Sequence, residues 1–287
     1  MCFADDSSLY AYSKSSTSLL EGLEIMSKRM IQYCKEVGLV INSEKTQLLV
    51  SGFKSKDVKD ISVRVGSNHV HPSKEICLLG ITLDTNFSTA PYLRQLESDA
   101  KTRAAIIARL SYSVPPHLLK IFTNGLLVGK IMASAPAAIP FRICVSDRGA
   151  NTITEKIDCA LKSAARVIAR TRLKDKVRSD LVLQRAGLRG LNEMVASTSA
   201  MLVWKSKKCM NPLGKLLFPE KPDIPLKMST RSDHQCKAKL PVPGHGTLAG
   251  NLLARAWNDA TELQNASSIG AAKSASKSWA RSLNFRH

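Results

Sequence analysis

The chain has 287 residues, 44% of them hydrophobic, so it is long enough for one large domain or two modest ones, and we expect a mostly globular protein rather than a disordered one. Lys and Arg number 42 against 23 Asp and Glu, a formal charge of +19. Residues 1–92 hold ten of each sign, so residues 93–287 carry the entire excess, with 32 basic and 13 acidic side chains.

An excess of positive charge confined to one region indicates a surface that binds a polyanion, because each phosphate neutralised releases counterions. Nucleic acid is therefore the expected partner. A solvated basic surface without a ligand is the alternative.

The seven cysteines are odd in number and scattered, and none lies in a Cys-x-x-Cys arrangement. That usage is typical of free thiols in a reducing compartment. Lysines and prolines interrupt the most apolar stretch, about 118–145, so we expect no membrane span, and the N-terminus carries no signal segment. These features predict an intracellular protein, nuclear or cytoplasmic, and they leave its oligomeric state unknown.

The chain opens with an acidic tetrapeptide, Phe-Ala-Asp-Asp at residues 3–6, followed by an apolar run at 9–12. This pattern predicts a β-hairpin with an acidic turn whose second strand continues through Tyr12. Adjacent carboxylates at a tight turn can hold divalent cations, and a solvated acidic turn is the alternative.

Apolar residues then recur at helical spacing from Thr17 to Val37, with Ser16 or Thr17 as N-cap and Gly38 at the stop. Short β-type runs follow at 39–41, 47–50, 61–65 and 76–83. Together they predict an α+β region ending near Asp84.

After Asp84 the pattern becomes helical, with helices predicted at about 90–112, 115–134, 151–170, 176–187 and 191–208. The helix at 151–170 is amphipathic and basic, with Lys156, Lys162, Arg166 and Arg170 off its apolar face. A Pro-rich linker, extended or disordered, is predicted over 211–246, and a basic tail with two weak helices over 247–287.

Three segments now stand in order: the acidic hairpin, Gly-Leu-Val-Ile-Asn-Ser-Glu-Lys-Thr at residues 38–46, and Leu-Leu-Gly-Ile-Thr-Leu-Asp at residues 78–84. In this order and spacing the chain resembles the reverse transcriptase of non-LTR retrotransposons. The tail, with Leu-Ala-Arg-Ala-Trp-Asn at 253–258 and a Lys-containing segment at 273–279, looks like the ending of jockey-like elements. An ordinary amphipathic helix is the alternative for that tail.

The resemblance implies an α+β fold in which a partial polymerase palm is followed by an all-α thumb and a partly disordered basic tail. Its divisions would be a palm at 1–87, a helical thumb-like domain at 88–210, the linker at 211–246 and the tail at 247–287. The implied activity is RNA-directed DNA polymerisation by two-metal nucleotidyl transfer, with Mg²⁺ as the ancestral cofactor and an RNA template and a DNA primer as partners.

Site residues follow from the same resemblance. Asp5 would be a direct metal ligand, with Asp6 as a secondary ligand or electrostatic support. Phe3 would lie beside the nucleotide and the primer end, and Lys45 would protonate the departing pyrophosphate, with a solvated lysine as the alternative. Gly80 would allow the primer strand to approach the backbone, or it would mark a β-bulge.

Asn42 is expected to hold its turn through side-chain to backbone bonds rather than to contact substrate. The basic side chains of the helix at 151–170 would contact the template–primer duplex.

The sequence also departs from the family. A two-metal site needs a third carboxylate from another palm strand, and neither that strand nor the fingers can be found here. We therefore expect a truncated reading frame with negligible catalysis on its own. The alternatives are a non-enzymatic RNA- or DNA-binding remnant of thumb and tail, or a product without function.

Overall fold

The computed structural model describes residues 2–3, 6–53, 58, 61–139, 152–209, 253 and 256–283, and the chain forms two compact units, Met1–Tyr92 and Leu93–His287. The described residues are mostly helical, with a few short antiparallel strands, which confirms the predicted α+β class. Among these residues, no helix combines the length and apolar character needed to cross a membrane.

The first unit begins with the expected hairpin. Strand β1 (Cys2–Phe3) pairs antiparallel with β2 (Asp6–Ser7), and Phe3 lies opposite Asp6. The prediction that the second strand reaches Tyr12 is wrong, because residues 8–13 form no regular structure. Tyr10 and Tyr12 are 80% and 95% exposed, so the alternating apolar pattern has no core to face.

Helix α1 (Ser16–Glu36) agrees closely with the predicted helix, although the N-cap is Ser15. The chain leaves the helix at Gly38, two residues after Glu36, where φ is +75°. The amide of the next residue, Leu39, donates to the Cys34 carbonyl oxygen at 2.7 Å. Helix α1 packs against strand β3 (Val63–Val65), and the Ser27 hydroxyl donates to the Arg64 carbonyl oxygen at 3.2 Å.

The strands of this unit form three separate two-stranded sheets rather than one sheet region. Strand β3 pairs with β4 (Asn68–Val70), and β5 (Glu75–Leu78) pairs with β6 (Ile81–Asp84). The single run predicted at 76–83 is therefore a hairpin. No strand forms at 39–41, where Val40 is 94% exposed, and the run at 47–50 makes only a bridge between Leu48 and Pro72.

The described part of the second unit is helical, as predicted. Its helices are α2 (Ala90–Leu110), α3 (Pro116–Thr123), α4 (Gly129–Met132), α5 (Ala135–Ala138), α6 (Thr152–Ile168), α7 (Ser179–Ala186), α8 (Leu191–Cys209), α9 (Thr261–Asn265) and α10 (Ile269–Ser282). A 3₁₀ turn, Leu173–Asp175, lies between α6 and α7. The predicted linker at 211–246 lies outside the described residues.

The helix predicted at 115–134 is interrupted by a π-helical segment, Asn124–Val128. Two residues, Arg103 and Gly129, lie in close contact with this π-helical segment. The Arg103 guanidinium donates from Nη1 to the Leu126 carbonyl oxygen at 2.8 Å, and a Cβ on Gly129 would lie 3.3 Å from the Asn124 carbonyl oxygen. A π turn changes the usual pattern of backbone hydrogen bonds, and Arg103 gives this segment a donor from another helix.

The helices near the C-terminus fold onto α8. The Trp204 indole donates to the Ala266 carbonyl oxygen, and Val203 packs in one buried cluster with Leu253 and Trp257. The Lys207 ammonium lies 4.4 Å from the centroid of the Trp257 ring. The aromatic residue of the tail segment is therefore a core residue here, 3% exposed, in line with the alternative of an ordinary amphipathic helix.

Candidate functional site

The acidic hairpin sets Asp6 on β2, exposed and paired in register with Phe3. This register leaves a connection of two residues, Ala4 and Asp5, which lies outside the described residues, as does the side chain of Phe3. Within the described ranges, no cluster of three or more His, Cys, Asp or Glu side chains could hold a metal ion. The described residues thus contribute one exposed carboxylate, that of Asp6, to the predicted metal site.

The segment that carries Lys45 is a turn held by Asn42. The Asn42 Oδ1 atom accepts hydrogen bonds from the amides of Glu44 at 3.0 Å and Lys45 at 3.2 Å, and the Thr46 hydroxyl donates to the Asn42 carbonyl oxygen at 2.9 Å. The prediction that Asn42 holds this turn is confirmed. Its side chain fixes the backbone of Lys45 while the lysine side chain stays exposed, free to reach a partner in solution.

An open cleft of about 560 Å³ lies between this turn and β4. Asn68 on β4 donates from Nδ2 to the hydroxyl of Ser43 in the turn at 2.7 Å, which connects the two sides of the cleft. Glu44, His69 and His71 are among the polar residues that line the cleft. Sequence reasoning missed it, because no local pattern indicates that a turn at 43–46 meets a strand more than twenty residues later.

Gly80 lies in the two-residue turn of the β5–β6 hairpin, between the paired residues Leu78 and Ile81. The alternative that it marks a β-bulge is wrong. Leu79 and Gly80 have φ of 49° and 78°, and both central residues of a type I′ turn require positive φ. No heavy atom lies within 4 Å of the position that a Cβ on Gly80 would take. The backbone at Gly80 is therefore open to close approach. The Cys77 amide donates to Gln47 Oε1 at 2.9 Å, which links this hairpin to the segment at 47–50 that follows Lys45.

The four cations predicted to bind nucleic acid differ in their surroundings. Lys162 forms an ion pair with Asp158 at 2.7 Å, and Lys156 lies 3.8 Å from Glu97. Arg166 is half-buried on α6, whereas Arg170 is exposed and lies beyond the end of the helix with φ of 51°. The pairing of two of the four with carboxylates reduces the positive potential of the helix face itself.

Glu97 is the acid that pairs with Lys156, and it also pairs with Lys101. It accepts from the Lys101 ammonium at 2.7 Å, and its side chain is only 13% exposed. The hydrogen bond from Lys101 is the main reason that the pKa of Glu97 is lowered, with the positive charges of Lys101 and Lys156 acting in the same direction.

Comparison with known proteins identifies no relative: no protein-family model, no curated protein and no solved structure matches this chain. The chemistry of its own residues therefore carries the functional argument.

Proposed function

We propose that this chain corresponds to palm and thumb segments of a non-LTR reverse transcriptase, and that the property it retains is binding of a template–primer duplex. The observation that carries the proposal is the register of the first hairpin, in which Phe3 lies opposite Asp6 and only Ala4 and Asp5 connect them. A hairpin with a connection of two residues at this acidic tetrapeptide is what the resemblance calls for.

Two further segments support the proposal by their local conformation. The Asn42 turn fixes the backbone that carries Lys45, and the Leu79–Gly80 turn offers an open backbone at the position assigned to the primer. The conformations of these two turns support the roles that the resemblance assigns to Lys45 and Gly80.

The described residues do not by themselves make a two-metal site, since they supply one carboxylate to it and no cluster of three ligands. We expect nucleotidyl transfer, the reaction of the family, to be negligible for this chain. Asp5 and Asp6 remain the positions at which any Mg²⁺-dependent chemistry would be centred.

The second candidate is non-enzymatic binding of RNA or DNA by residues 93–287, in an intracellular setting. The excess of 32 basic over 13 acidic side chains in this region favours it. It differs from the first candidate in predicting no preference for a recessed primer end.

The test combines binding with primer extension. Purified protein is titrated with a recessed RNA–DNA template–primer and with single-stranded RNA of equal length, and extension is followed in Mg²⁺ for wild type, Asp5→Ala and the control Glu21→Ala, an exposed acid on α1. Preferential binding of the recessed duplex is expected, and any extension should be lost in Asp5→Ala alone. Equal binding of both probes without extension would contradict the reverse-transcriptase proposal and favour the second candidate.

A further inference from the structure

The connection between α6 and α7 carries a cation at every second position. Its basic residues are Arg170, Arg172, Lys174, Lys176 and Arg178, and all five are exposed. Asp175 is the single acid between them. We call residues 169–178 the basic loop.

Few of these charges are neutralised within the protein. Arg178 pairs with Asp180 at 2.8 Å, and Asp175 accepts from the backbone amide of Arg172 at 2.7 Å, which directs the carboxylate to the backbone of its own turn. Among the described residues, the other four cations form no ion pair with an acid. In this respect they differ from Lys156 and Lys162 on α6.

The backbone of the loop holds two of the cations in an unusual conformation. Arg170 follows the end of α6 with φ of 51°, and Lys176 follows the 3₁₀ turn with φ of 48°. Glycine or asparagine adopts this left-handed region more easily than a long side chain does. The loop therefore keeps cations at two positions where the backbone favours other residues, and such local strain is often associated with a functional role.

We infer that the basic loop is a contact surface for the phosphate backbone of a nucleic-acid duplex. Unpaired guanidinium groups suit this partner because their planar donors match phosphate oxygens in pairs, and closely spaced cations can neutralise successive phosphates. The inference deepens the proposed nucleic-acid binding, on which it rests, and it requires no nucleotidyl transfer.

An anionic membrane is the competing partner, because Leu173 projects from the same loop with 80% exposure. One apolar side chain adds little to membrane affinity, and stable anchoring needs two signals such as an apolar face or lipid chain in addition to basic residues. Leu173 is the one exposed apolar residue in the loop, whereas exposed cations occupy five positions. This composition favours nucleic acid over a membrane as the partner of the loop.

Two variants with the same change in charge test the inference. The loop variant is Arg170→Asn, Arg172→Gln, Lys174→Gln and Lys176→Asn, with Asn at the two positions of positive φ so that the backbone is kept. The matched control neutralises four exposed cations in or just before α1, namely Lys14→Gln, Lys28→Gln, Arg29→Gln and Lys35→Gln. Circular dichroism and thermal unfolding of both variants verify that they remain folded.

Binding of a fluorescein-labelled RNA–DNA hybrid of about two helical turns is measured by anisotropy at several salt concentrations. The loop variant should bind at least about tenfold more weakly than wild type, and its log–log salt slope should fall by about 3 to 4, near 0.9 for each lost phosphate contact. The control should keep the wild-type slope. Hydrogen exchange on the wild-type protein, which depends on no variant, should show protection of residues 169–178 when the hybrid binds.

Each outcome decides a different point. If wild type binds and the loop variant matches the control, or if the loop gains no protection, the loop assignment is overturned while the proposed binding stands. If wild type does not bind the hybrid at all, the proposed function fails as well. The wild-type protein could instead bind vesicles rich in phosphatidylserine more tightly than the hybrid and lose that binding in the loop variant. This result would overturn the assignment of nucleic acid as the partner and favour a membrane.

Discussion

The indole Nε1 of Trp204 donates a hydrogen bond of 3.2 Å to the carbonyl oxygen of Ala266, 62 residues further along the chain. Trp204 belongs to α8 and is 6% exposed, so this bond joins the C-terminal helices to the centre of the second unit in a site that water does not reach. The described residues from Trp257 to Trp279 are thus held by tertiary contacts.

This contact predicts that Trp204→Phe destabilises the protein by about 1–3 kcal/mol, because the buried Ala266 carbonyl loses its donor. Trp279→Phe is the matched control, since Trp279 is also buried, at 7% exposed, but its Nε1 has no hydrogen-bond partner in the part of the chain that the structure describes. Urea unfolding of both variants measures the difference. Equal losses of stability would show that the Trp204 hydrogen bond contributes nothing beyond ring packing.

The surroundings of two glycines in and just after the π-helical segment predict different effects when each is replaced by alanine. Gly125→Ala should stabilise by about 0.5–1 kcal/mol, because its Cβ would meet no atom within 4 Å and alanine loses less backbone entropy. Gly129→Ala should bring no gain, since its Cβ would lie 3.3 Å from the Asn124 carbonyl oxygen. Thermal unfolding measures both, and a similar gain in both variants would contradict the close approach at Gly129.

Loss of the guanidinium that binds this segment should also be measurable. Arg103→Met removes the donor to the partly buried Leu126 carbonyl oxygen and should cost about 1–3 kcal/mol. Arg94→Met, an exposed arginine on the same helix, is the control and should stay within about 0.5 kcal/mol of wild type. An Arg103→Met variant as stable as the control would mean that water replaces the arginine without cost.

The type I′ turn between β5 and β6 predicts opposite effects on stability for substitutions at its two central residues, Leu79 and Gly80. Leu79→Asn should stabilise by about 1 kcal/mol, because asparagine accepts the left-handed conformation that leucine resists. Gly80→Ala should destabilise for the same conformational reason. Chemical unfolding of the two variants tests this turn assignment, and a destabilised Leu79→Asn would show that the leucine side chain makes a necessary contact.

The acid–base behaviour of Glu97 gives a prediction with a defined sign. The pKa of Glu97 in the folded state lies below the ordinary value of a glutamate. The stability contributed by the ionised carboxylate is therefore fully present above that ordinary value and is lost as pH falls through the lower folded pKa. A carboxyl NMR titration should show that Lys101→Met raises the pKa of Glu97 more than Lys156→Met does. The reverse order would contradict the dominance of the 2.7 Å hydrogen bond.

Local patterns were enough to predict several elements. The periodic apolar residues and Gly38 define α1 within two residues, and Ile157, Leu161 and Ala164 form the buried face of α6 as predicted. Asn42 was correctly assigned to its turn because an Asn side chain bonds to amides two and three residues ahead.

Other features depend on contacts between distant residues and could not be predicted this way. The apolar run at 76–83 does not reveal that it bends at Leu79, since leucine rarely adopts positive φ. The ion pair of Lys156 requires knowledge of Glu97 on another helix. The pair of Lys162 with Asp158 is different, because these residues are four apart on one helix and the sequence already offered the contact. The basic loop was missed because its cations are spaced by two residues, a spacing that a helical reading of 151–170 and 176–187 divides between two elements.

We propose that the hairpin of β1 and β2 belongs to the metal-binding turn of a reverse-transcriptase palm. Paramagnetic broadening of backbone NMR signals by Mn²⁺, with a recessed template–primer and a nonhydrolysable nucleotide bound, tests this proposal. We expect weak binding with the strongest broadening around Asp5 and Asp6, abolished by Asp5→Ala and retained in Glu21→Ala. Broadening centred elsewhere, such as the cleft lined by His69 and His71, or unchanged by Asp5→Ala, would contradict the claim.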